Sequence, residues 1–166
     1  MAMIEQDPRV HFLQSLSSLI DELRETGYAS NLTDVTRLAA SIGAAYSIRD
    51  IVGARQYDVR WSVLRRSAHF ESLANALAIY ASGSQNAADV AEAIKTGTKV
   101  DYLEVLANSG LLFLQERKME TGQPLSILLP ALIQERIGLN GDYSVRDIEI
   151  PKILENTDEH ENGESK

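Results

Sequence analysis

The stretch from Ser84 to Leu129 carries the densest helix starts and stops in the chain, and any fold has to accommodate them. Asn86 followed by Asp89 offers an N-cap with an acid at the third helical position, and Gly97 closes that run. Thr98 followed by Asp101 opens a second run, which Gly110 closes. A cap of this kind is worth about 1 kcal/mol, so the pattern predicts two short helices meeting at Gly97 and Thr98. Val90, Ala93 and Ile94 share one face of the first run, and Leu103, Leu106 and Ala107 share one face of the second. A second reading stays open, because Tyr102, Leu106, Gly110, Phe113 and Arg117 recur at three or four residues, the spacing of one long helix over 99–121 broken only at Asn108-Ser109-Gly110.

The same residues carry a family resemblance. DVAEAIKTGTKVDYLEVLANSGLLFLQERKMETGQPLSIL resembles the core of the winged helix-turn-helix superfamily over residues 86–129: a short helix, a turn, a helix ending in a Leu-rich pattern with glycine, then two strands joined by a basic loop. The resemblance implies that residues 99–109 form a recognition helix whose early residues enter the major groove. It also implies a β-hairpin wing at 111–129, turning at Thr121-Gly122-Gln123-Pro124. Lys95 and Lys99 near the turn, with Arg117 and Lys118 at the wing, have the sign that phosphate contact requires.

A chain of 166 residues is long enough for one domain that buries about 70% of its unfolded surface. Apolar residues make up 44% and charged residues 24%, which places it in the globular class. Low aromatic content and abundant alanine favour closely packed helices. There is no cysteine, so neither a disulfide framework nor a thiolate metal site can form. No apolar run approaches the ~20 residues needed to span a bilayer, and a soluble cytoplasmic protein is the expectation. Half of the net charge of −8 sits in residues 155–166, which carry five acids against Lys166. The remaining body is mildly acidic, so nucleic-acid binding would need a local basic patch.

Along the chain, Asp7 before Pro8 reads as a helix start, and Phe12, Leu13, Leu16, Leu19, Ile20 and Leu23 form one apolar stripe up to Gly27. This predicts a helix over 8–26. A second helix begins near Asn31, and its Ala39, Ala40, Gly43, Ala44 and Ala45 would let another helix approach closely. After Tyr46, either a short turn capped by Ser47 and Asp50 ends at Gly53, or the helix runs on. Residues 55–82 read as one long central helix ending at Gly83. Leu125–Leu129 is either a strand or the first turns of a helix through Ile137. Asn140-Gly141 marks a turn, residues 145–151 alternate weakly as an extended arm, and 155–166 should be disordered.

On that predicted central helix Arg55, Arg65, Arg66 and His69 fall within a single arc, and Arg49 to Phe70 carries five arginines against Asp50 and Asp58. One reading is an anion or nucleic-acid contact flanked by Trp61 for stacking. The other is that the arginines pair with acidic helix faces such as Asp21, Glu22 and Glu25, the commoner fate of surface charge. No phosphate-binding glycine loop, nucleophile elbow or zinc-helix pattern occurs, and His11, His69 and His160 lie far apart in sequence.

These observations predict a mainly α protein: a single helical bundle of about five to seven helices over 1–154, with a small β-hairpin at 111–129 if the resemblance holds, and an acidic tail over 155–166. The expected function is that of a non-enzymatic interaction protein, a small subunit or adaptor of a larger, nucleoprotein-type assembly, without cofactor, metal or catalytic residue. Its partners would be proteins, with nucleic acid as a further candidate and no membrane. The alternative is a winged-helix DNA-binding transcriptional regulator. The candidate nucleic-acid contacts are Arg55, Arg65, Arg66, His69, Lys95, Lys99, Arg117 and Lys118.

Overall fold

Helix α2 (Leu32–Tyr46) and helix α6 (Thr96–Thr121) meet backbone to backbone in the computed structural model, which describes residues 7–46 and 48–137. A Cβ on Gly43 would lie 2.0 Å from the Leu106 carbonyl oxygen, and one on Gly110 would lie 1.9 Å from that of Ala39. Only glycine fits at either position. The small-residue face expected on α2 is therefore used as anticipated, with Ala39, Ala40 and Gly43 buried. Gly110 differs from its expected role. It does not close a helix but lies inside one, since a glycine that ends a helix and one that admits a neighbouring backbone look alike in sequence.

Among the described residues there are seven helices and one two-stranded antiparallel sheet, which agrees with the expected mainly α class. The sheet, however, is not at 111–129. It pairs β1 (Arg9–Leu13) with β2 (Arg55–Arg60), matching Val10 with Val59 and Phe12 with Tyr57. Residues 111–129 are instead the end of α6, a turn, and the start of α7 (Leu125–Ile137). Gly122, at φ +65°, closes α6 by donating its N–H to Lys118 O at 2.9 Å, so the expected wing turn joins two helices.

The helix expected over 8–26 is also divided. A 3-10 turn (Gln14–Leu16) separates β1 from α1 (Ser17–Glu25), while Phe12, Leu13, Leu16, Leu19, Ile20 and Leu23 are all buried as one stripe. Val10 and Phe12 alternate with His11 at period two, and pairing with distant β2 overrides the local helical spacing. Asp7 still caps a helix, though not its own. Its carboxylate accepts the Ser62 N–H at 3.0 Å and the Ser62 hydroxyl at 2.5 Å, at the start of α3 (Trp61–Leu64).

The single helix expected over 55–82 becomes β2, α3, a turn, and α4 (Phe70–Ser82), which Gly83 closes at φ +64°. The turn is pinned by Arg37, which bonds Ser67 and lies 5.9 Å over the Phe70 ring. Helix α5 (Ala87–Ala93) starts at Asn86 as expected, with its side chain accepting the Ala88 N–H at 2.8 Å. The break before α6 falls at Ile94–Lys95 and not at Gly97–Thr98, and Leu125–Leu129 forms the first turns of α7. The long-helix reading of 99–121 is the one adopted, without the break expected at Asn108-Ser109-Gly110.

Helix α6 packs against α2, α4 and β1, and every residue from Leu106 to Leu111 is buried. Its polar residues close the outer edge of β1. Asn108 Oδ1 accepts the Leu13 N–H at 2.9 Å while Asn108 Nδ2 donates to His11 O at 2.8 Å, and Glu104 accepts the His11 N–H at 2.9 Å. Side chains thus satisfy the row of groups that a third strand would otherwise bond. The chain divides into two units, residues 1–131 and 132–166; the second contributes residues 132–137, the last turns of α7. The expected turn at 140–141, the arm at 145–151 and the acidic tail lie outside the described residues.

Gly110→Ala tests the crossing. Its methyl group would overlap a backbone carbonyl that cannot rotate away, so the loss should exceed the ordinary overpacking cost of about 1–3 kcal/mol. Urea unfolding should show that loss or outright failure to fold, whereas Gly97→Ala, with open space around it, should stay within about 1 kcal/mol of the parent.

Candidate anion-binding corner

Most of the cations expected to meet nucleic acid are committed inside the protein. Arg55 lies on a strand and bonds Glu104 through Nε at 2.9 Å and a terminal nitrogen at 2.7 Å. Lys95 pairs with Glu92, Lys118 with Glu22, and Arg117 lies 3.7 Å from Glu120 and over the Phe113 ring. Lys99 is only 2% exposed; its Nζ donates to Asn75 Oδ1 at 2.9 Å and sits 4.6 Å above the Trp61 ring. Trp61 is itself 3% exposed and packs edge-on against Phe70, so it is a core residue and not a stacking platform. The single helical arc expected for Arg55, Arg65, Arg66 and His69 does not exist, because Arg55 belongs to β2.

What remains is a corner where β2 runs into α3. Arg60, Arg65 and Arg66 are exposed, and none has a carboxylate within 4.0 Å among the described residues. His69 follows three residues later. It is the one non-glycine residue with positive φ among those described, at +62°, which turns the chain into α4 and leaves its side chain exposed. Arg60 was not singled out from sequence. Its signal was present, as the last residue of the RQYDVR run before Trp61, but a helical reading placed it off the basic arc.

Asp7 anchors the corner. The Ser62 hydroxyl lowers its carboxyl below the ordinary value of 3.8; the Ser62 N–H and the nearby charges of Arg60 and Arg65 act the same way, against partial desolvation. Two open clefts meet at Asp7 and Pro8. The smaller, about 460 Å³, includes Arg65, Ser62 and Thr96; the larger, about 1040 Å³, includes Arg60, Arg9, His11 and Glu104. In the larger cleft the His11 ring, 41% exposed, is held through Nδ1 at 2.9 Å from the Glu104 carboxylate, whose side chain is 14% exposed and clamped by Arg55. That arrangement fixes the β1 edge to α6. Among the described residues, no cluster of three or more His, Asp or Glu side chains is placed to hold a metal ion, and no helix is long and apolar enough to cross a membrane.

No family model, no curated protein and no solved structure matches the chain.

The Asp7 cap predicts a pH dependence. Because its folded-state pKa is depressed, its stabilising contribution is present above the ordinary carboxylate value and is lost as pH falls through the lower, folded one. Urea unfolding of the parent and Asp7→Asn should therefore show the parent more stable at neutral pH, with the two curves converging once the pH has fallen below the depressed folded-state value.

Proposed function

We propose that the protein is a non-enzymatic subunit or adaptor of a larger assembly, and that its Arg60–Arg65–Arg66 corner contacts the phosphate backbone of a nucleic acid. One observation carries this reading. In a chain with an acid surplus, where Arg9, Arg24, Arg49, Arg55, Lys95, Lys99 and Lys118 each reach a carboxylate, three neighbouring exposed arginines reach none among the described residues. Unpaired guanidinium groups at an open surface are suited to phosphate oxygens. The lack of an exposed aromatic among the corner residues favours backbone contact over base reading.

The alternative, a winged-helix DNA-binding regulator, keeps one supporting feature: α5 and α6 meet across the short Ile94–Lys95 turn. Less favourable to it, Lys99, Val100, Leu103, Leu106, Ala107, Asn108 and Ser109 are buried within the span that would enter the groove.

Fluorescence anisotropy with labelled single- and double-stranded oligonucleotides between 50 and 200 mM salt tests both. Three phosphate contacts give a log–log salt slope of about −2 to −3, and Arg65→Ala with Arg66→Ala should remove most of it. Lys95→Ala should leave binding unchanged, since that ammonium is already paired with Glu92. Absence of binding at low salt would contradict the corner, and loss of duplex binding on Lys95→Ala alone would favour the alternative.

A further inference from the structure

We infer that the outer edge of β2 is a docking site for an extended, acidic segment of a partner protein, which adds a third strand to the sheet. The ladder geometry fixes which groups face outward. His11 and Leu13 of β1 direct their N–H groups away from β2, to Glu104 and Asn108. Because residues along an antiparallel pair alternate, Val10–Val59 and Phe12–Tyr57 exchange the ladder bonds. Asp58, opposite His11, therefore turns its N–H and C=O to the far edge, and Arg60, opposite Arg9, turns its N–H there while its carbonyl opens the first turn of α3. No other backbone or side-chain group among the described residues bonds the Asp58 N–H and C=O or the Arg60 N–H.

The two edges are thus treated differently. Side chains of α6 close the β1 edge, while Gln56, Asp58 and Arg60 on the β2 edge are exposed. A two-stranded sheet is marginal by itself, so an added strand would gain ladder bonds and support what is already there. Side-chain charge selects the occupant. Asp58 is neutralised by Arg9 at 3.0 Å and Arg55 by Glu104, whereas Arg60 and the adjoining Arg65 and Arg66 form no ion pair among the described residues. An incoming strand with acids at alternate positions would complement Arg60. Among antiparallel self-pairings of β2, the register centred on residue 58 sets Asp58 against Asp58 and the full six-residue overlap sets Arg55 against Arg60, both unfavourable to a second copy of this chain.

The site shares Arg60 with the basic corner, but its hallmark is main-chain hydrogen bonding, so the two readings fail separately. The full-length protein is titrated with three fluorescein-labelled probes: an alternating Glu-Val heptapeptide, its Lys-Val counterpart, and the Glu-Val peptide N-methylated at alternate residues. The first should bind at least about tenfold more tightly than either of the others. Asp58→Pro, which removes an outward N–H at an edge position that tolerates proline, should weaken binding about tenfold, while Asp58→Ala keeps the N–H and most of the affinity. Thermal melts of both variants show whether the fold survives; if Asp58→Pro unfolds, the comparison of N-methylated and plain peptides on the parent decides. Equal affinity for the N-methylated peptide, or no saturable binding of the Glu-Val peptide, overturns the proposal. So does concentration-dependent dimerisation that Asp58→Pro abolishes, which would assign the edge to a second copy. Nucleic-acid binding lost in Arg65→Ala/Arg66→Ala with peptide binding retained separates this site from the basic corner.

Discussion

Where α2 and α6 cross, two peptide backbones touch with no side chain between them, and that contact decides what the remaining surfaces can do. Gly43 lies against the Leu106 carbonyl, and Gly110 lies reciprocally against that of Ala39. With α2 this close, the neighbouring side chains of α6 are directed to other partners. Asn108 and Glu104 go to the β1 edge, Ser109 accepts the Arg49 N–H at 2.9 Å, and Phe113 stacks on Tyr46 at a centroid distance of 4.4 Å. A helix enclosed on several faces is core material, and buried polar residues on such a helix are tolerated because each finds its bonds; no buried side-chain nitrogen or oxygen is left without a partner among the described residues.

The distribution of charge follows from that arrangement. Carboxylates on α1, β2, α4, α5 and α6 lie within reach of most of the described arginines and lysines, and these pairs are largely exposed, so each adds little stability. Their main consequence is to quench the positive charge over most of the molecule. Arg49 and Glu116 illustrate it: their mutual hydrogen bond raises the pKa of the guanidinium and lowers that of the carboxyl, holding both charged. The β2–α3 corner escapes because Asp7 is occupied in capping Ser62, Glu104 is taken by Arg55 and His11, and no described carboxylate stands within ion-pair distance of Arg60 or Arg65. Geometry and not composition creates the basic patch.

Much of the fold can be read in the residues, and what cannot has identifiable causes. The alanine-glycine face of α2, the Asn86 cap, and the helix ends at Gly27 and Gly83 are local signals, and local signals are legible. RQYDVR reads as helix because its partner strand lies more than forty residues away, and Val10–Val59 pairing leaves no mark within either segment. Gly110 reads as a stop because sequence does not distinguish a left-handed glycine from one pressed against a neighbour. Of the candidate site, Arg65, Arg66 and His69 were visible as charge. A helical period hides Arg60, and Lys99 and Trp61 resemble surface contacts in sequence although burial makes them a packed cation–π pair.

Native-state hydrogen exchange across the α2–α6 crossing measures the central claim most directly. If residues 39–43 and 106–110 are the last part of the protein to open, their amides should exchange only through global unfolding, with opening free energies equal to the stability from urea titration. Opening energies lower by more than about 2 kcal/mol over 99–109, with slower exchange elsewhere, would show a locally mobile helix and contradict an α6 that serves as the core.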